Sequence, residues 1–159
     1  EMLETIARML LQSKQTKFIN DRLHLVVVHD GEVKEIIGKK VTFFDIQSTK
    51  AKQFGFMMEL DQDRKLTCCG DEPYNEENEK YALKSDYLLH EAFCLYDQAD
   101  IFHPYEKHHS TVKDACQLAE KLKVKDQNIE NRKELYTKEG KAYFSGKIYV
   151  PNDLETIEL

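Results

Sequence analysis

No run in this 159-residue sequence approaches the roughly 18 apolar residues that a membrane span requires. The acidic start, Glu1-Met2-Leu3-Glu4, also lacks the basic-then-apolar order of a signal peptide, so a cytoplasmic protein with no membrane partner is expected. Lysine and arginine fall short of the acids, 23 against 29, leaving a net charge of −6. That balance argues against a protein whose affinity comes mainly from wrapping nucleic acid, although a local basic groove stays open. Three prolines and six glycines are too few for a collagen-like or low-complexity chain. The four cysteines, Cys68, Cys69, Cys94 and Cys116, form no C-x-x-C pair and read as reduced core thiols rather than staples or metal ligands.

What is present suits a packed core: 41% hydrophobic residues among 33% charged ones, in about one domain by length. Residues 2–11 carry Leu3, Ile6 and Leu10 at helical spacing, predicting an amphipathic helix packed on one side. Its apolar stripe has no N-cap residue before it and begins as if cut from something longer. Residues 23–28, 33–37, 40–46, 54–60 and 65–69 are short β-branched or aromatic runs, read as strands. The turn signals Asp30-Gly31, Ile37-Gly38-Lys39 and Asp61-Gln62-Asp63 join them into a mostly antiparallel sheet. Further on, a polar helix near 75–83, a strand at 86–89 and a strong helix over 111–122 are expected, the last opened by Ser110 or Thr111 with Asp114 as a capping box. A second polar helix near 131–143 precedes runs at 148–150 and 154–157 that could serve as edge strands.

Three clusters bear groups able to bind metal or move protons. Cys69-Gly70-Asp71-Glu72-Pro73 turns sharply at a strand end, where Asp71 could either bridge cations or cap the helix near residue 75. Asp86 to Phe93 is an apolar strand ending in His90-Glu91, either a histidine held in one tautomer for ligation or proton transfer, or a satisfied core histidine. His108-His109-Ser110-Thr111 sits at the mouth of the strongest helix, either a surface pair beside an N-cap or a site where His109 and backbone N–H groups meet an anion.

In order and spacing, Gly70-Asp71, then Ser85-Asp86-Tyr87-Leu88-Leu89-His90-Glu91-Ala92-Phe93, then His109-Ser110-Thr111-Val112-Lys113-Asp114-Ala115 resemble the C-terminal half of the metallo-β-lactamase superfamily, nearest its ribonuclease Z-like branch. The resemblance covers residues 41–124, with Gly55-Phe56 read as the strand leading into Gly-Asp. It implies an α+β architecture, an αββα sandwich of two mostly antiparallel sheets with helices outside. It further implies a metal-dependent hydrolase acting on phosphodiesters or related esters through a hydroxide bridged between two divalent ions, zinc first, with manganese or iron as alternatives. By the same resemblance Asp71 bridges the ions and His109 contacts the substrate phosphate or protonates the leaving group. His90 and Glu91 position the site. The substrate would be a small phosphodiester or RNA.

The family's His-x-His-x-Asp-His motif does not occur in this sequence, and Gln47 stands where the branch often has histidine. The run Leu122-Lys123-Val124-Lys125-Asp126 leads straight into polar sequence, so a buried strand ending in a ligand histidine is expected to be missing. One aspartate and one or two histidines do not fix two ions. The reading is therefore a single, incomplete domain over 1–159, part of a unit of some ~250 residues. It leaves an apolar sheet face that favours a homodimer. A non-catalytic binding or assembly module that keeps the fold without a complete metal centre is the alternative.

Overall fold

A computed structural model of the chain describes residues 2–128, 133–152 and 154–158. Two short helices, α1 (Met2–Leu10) and α2 (Ser13–Thr16), precede strands β1 (Val33–Ile36), β2 (Lys39–Asp45), β3 (Phe54–Glu59) and β4 (Lys65–Cys68). Helices and strands then mix: α3 (Glu79–Ala82), β5 (Tyr87–Leu89), α4 (Ala99–Phe102), α5 (Val112–Lys121), β6 (Asp126–Asn128), α6 (Lys133–Gly140) and β7 (Lys147–Tyr149).

The strands form one seven-stranded sheet in simple order, β1 to β7. Its first three pairings are antiparallel and its last three parallel. The expectation of a mostly antiparallel sheet thus holds for half the molecule. Antiparallel neighbours can be joined by short links, whereas each parallel neighbour needs a longer crossover. Ile37 (φ 49°) and Gly38 (φ 74°) make the two-residue link between β1 and β2, with both centres left-handed as a twist-matched hairpin requires.

Further expectations are corrected. Residues 24–28 are no strand; Leu23 makes a lone bridge to Ile19, and β-branched residues form a strand only where a partner edge is available. The polar run after Val124 does contain a strand, β6, hydrogen-bonded on both sides. Its backbone pairing outweighs the low β-propensity of Asp126-Gln127-Asn128. The 154–157 run is not a strand in its described residues, and Gly55-Phe56 lies on β3, whose neighbour β4 is the strand that leads into Gly70-Asp71. Helix α6 ends at Gly140, short of Tyr143, and residues 131 and 132 lie outside the described residues. Helix α1 forms as its period predicts but buries none of its residues, with Met2, Met9 and Leu10 more than two-thirds exposed.

The main buried cluster lies on one side of the sheet. Leu88 of β5 packs there with Val112, Cys116 and Ala119 of α5, Tyr136 of α6 and Leu122, Val124, Phe144 and Val150. Helix α5 starts at Thr111, whose hydroxyl accepts from the Asp114 N–H while the Asp114 carboxylate accepts from the Thr111 N–H, the reciprocal cap expected from sequence. None of the four cysteines is in a disulfide. Burial pushes Cys69 and Cys116 up to about 12, which suits inert core residues.

Candidate metal and proton-transfer site

Strands β4 and β5 are parallel, so their carboxyl ends emerge at the same edge of the sheet, where ligands of such sheets commonly sit. From β4 the chain passes through Cys69 and turns at Gly70 (φ 86°), where an added Cβ would lie 2.8 Å from Ile46 Cδ1. The left-handed φ favours glycine, whereas the approach to the end of the Ile46 side chain could be relieved by a small shift, and the turn delivers Asp71, exposed, to the edge. Capping the next helical turn falls to Asn75, which accepts from the Glu77 N–H. Asp71 is left for the site.

From β5 the chain enters the His90-Glu91 turn. The Phe93 N–H bonds Ser110 O at 2.9 Å and the Val112 N–H bonds Cys94 O at 3.0 Å, pinning this turn to the segment that opens α5. Across that seam one Glu91 oxygen accepts from the Ser110 N–H and the other from His109 Nδ1 at 3.2 Å. The Glu91 carboxylate therefore serves His109, not His90. Since a carboxylate only accepts, Nδ1 of His109 carries the hydrogen and Nε2 is left available. Phe93 stacks on the His109 ring, centroids 5.0 Å apart and planes within 7°, and the Phe93 carbonyl accepts from Tyr136 Oη at 3.2 Å. Sequence reasoning overlooked Phe93, although it directly follows the His-Glu-Ala run.

Asp71, Glu91 and His109 each offer a ligand atom, and these atoms lie within 4.8 Å of one another. They line a cavity of about 480 Å³ with Cys68, Leu89, Ala92 and Tyr136. Burial pushes the Glu91 carboxyl up, while Ser110 and His109 pull the other way. His90 is 6% exposed, and its Nδ1 donates to Glu91 O at 2.8 Å. Burial holds its pKa down, so the ring stays neutral. His108 turns away to line a separate cleft with Gln47 and Glu72.

Most N–H groups at the helix N-terminus are already engaged and do not face an anion. Those of Ser110, Thr111, Val112 and Asp114 are taken by Glu91, Asp114, Cys94 and Thr111. The Asp114 carboxylate already supplies the negative charge favoured there.

No family model matches the sequence, and no curated protein matches it. Solved structures do. The metallo-β-lactamase fold protein YhfI from Bacillus subtilis is 14% identical with a TM-score of 0.66, over 80% of this chain and 52% of that one. The short form of human tRNase Z is 22% identical with a TM-score of 0.58, over 76% of this chain and 43% of that one.

The chain has a metallo-β-lactamase fold.

It spans about half the length of these two structures, consistent with part of that fold. Among the described residues, the metallo-β-lactamase-like edge supplies one group of three donors able to hold a metal ion. Two carboxylates and an imidazole match the number of protein ligands a single catalytic zinc takes; they do not complete a set for two ions.

Proposed function

We propose that the protein containing this chain is a metal-dependent hydrolase of phosphodiesters, ribonuclease Z-like in its site, with RNA or a small phosphodiester as substrate. The observation that carries this reading is the convergence of Asp71, Glu91 and His109 on one cavity at the carboxyl ends of two parallel strands. Asp71 would be a metal ligand, joined by an oxygen of Glu91. When bound, divalent ions, zinc foremost, would supply positive charge against phosphate oxygens and make water more acidic.

The chain's own residues handle the proton and the orientation. Glu91 fixes His109 in the Nδ1–H tautomer, and Phe93 holds the ring flat. In the protonated ring, His109 Nε2–H can then donate to a phosphate oxygen or give its hydrogen to the leaving oxygen, while Glu91 stabilises the positive charge. Leu89, Ala92 and Phe93 narrow the water-accessible space beside it.

Metal analysis of the full-length protein is expected to find two ions, the remaining ligands coming from residues other than these three. Asp71→Ala should lower both metal content and hydrolysis of bis-p-nitrophenyl phosphate, by about 10²-fold or more in rate. Undiminished activity in that variant refutes the assignment. His109→Ala should lose turnover with metal retained.

A second reading has its own support, because Glu91 is already engaged by Ser110 and His109 and two ions are not provided for among the described residues. On that reading the chain is a non-catalytic binding or assembly module. Zinc titration of the full-length protein discriminates: cooperative folding with no zinc bound favours the module.

A further inference from the structure

Lys107 stands two residues before His109, in a turn closed on a single acceptor: the Lys107 N–H bonds Pro104 O at 3.0 Å and the His109 N–H bonds the same carbonyl at 2.9 Å. The exposed Lys107 side chain reaches over the Phe93 ring, its Nζ 5.4 Å from the centroid. Phe93 is the ring stacked on His109 and a wall of the larger cavity. Ammonium and imidazole therefore share one aromatic ring at the mouth of the site. Among the described residues no acid pairs with this ammonium; the adjacent Glu106 lies 3.4 Å from His103 Nδ1 instead.

The other flank of the site has the opposite charge. His108 lines the cleft that holds Glu72 and Glu76, and Glu72 directly follows Asp71. The Glu72 carboxylate accepts from the Thr49 N–H at 3.2 Å and from the Ser48 hydroxyl, which fixes it on that side. A phosphate is repelled there and attracted toward Lys107. An ammonium is a compact point charge with three donors, suited to phosphate oxygens. A diester engaged at Asp71, Glu91 and His109 brings one phosphate, and Lys107 offers a place for another.

We propose that Lys107 is a specificity residue that holds a second phosphate of the substrate, so that the site prefers a diester bearing a further phosphate on the same nucleotide to an isolated diester. This rests on the hydrolase reading of the site.

The test compares, for the metal-loaded full-length protein, thymidine p-nitrophenyl phosphodiesters with and without a phosphate on the other sugar hydroxyl, in both the 3′ and the 5′ orientation. In one orientation the added phosphate should lower KM about fivefold at low salt, the upper scale of a solvent-exposed ion pair, and the gain should fade as salt is raised. Lys107→Ala should bring the two KM values together and Lys107→Arg should keep them apart. Lys50→Ala, on the loop beside Glu72, should leave the preference intact. Cleavage with no preference in either orientation, a preference that survives Lys107→Ala, or an equal loss for both diesters in that variant overturns the proposal and leaves the hydrolase reading standing. Absence of any cleavage by the wild-type protein overturns both.

Discussion

Phe43 and Phe44 are adjacent on β2 and point to opposite faces of the sheet, and their fates differ. Phe44 is 1% exposed and stacked on Tyr81 of α3, ring centroids 4.6 Å apart. Phe43 is only half-buried, as are its neighbours across the same face, Phe56, Cys68 and Leu89. Val41 is a fully buried strand residue on that side. The helix-covered face is a finished core; the other carries the same residue types with part of their surface in solvent. Residue type therefore does not reveal which face is closed. What lies over the strand does.

The largest expected effect comes from that pair. Phe44→Ala should cost about 3–5 kcal/mol in urea unfolding, as for other buried phenylalanines, and Phe43→Ala less than half as much. Equal losses would show that both faces are closed. Next, the 159-residue chain expressed alone should self-associate through its half-buried face. Placing a charge there with Leu66→Glu should weaken association about tenfold, given the apolar area removed. A monomer in sedimentation, with a cooperative melt, would break the contrast between the faces.

The smallest effect concerns a paired charge beside β5. Burial pushes the Asp86 carboxyl up, but the Lys125 ammonium and the Lys65 N–H outweigh it and hold it below the ordinary range. Because the folded value lies below the unfolded one, this group's contribution is complete above the ordinary carboxyl value of about 3.9 and fades as pH falls through the folded value. Lys125 is mostly exposed, so the ion pair adds little. Asp86→Asn should cost about 1 kcal/mol at pH 7, a difference that shrinks as the melt is repeated below pH 4. A difference independent of pH would assign the loss to packing instead.

Features set by neighbours in the chain could be read in advance. The Thr111–Asp114 cap, the turn at Ile37-Gly38 and the strands from Val33 to Cys68 all follow from local spacing and propensity, because the groups that stabilise them lie within a few residues. Asp71, Glu91 and His109 could be singled out as chemically able, and their order matched to a known pattern. Which of them act together was another matter. The sequence sets His90 beside Glu91, yet the carboxylate reaches His109, 18 residues on, because parallel pairing of β4 and β5 and the seam from Cys94 to Thr111 bring those backbones together. Tertiary structure alone also made a strand of Asp126-Gln127-Asn128 and left α1 with its apolar stripe exposed, since hydrogen-bond partners and covering surfaces are supplied by distant segments that no local pattern encodes.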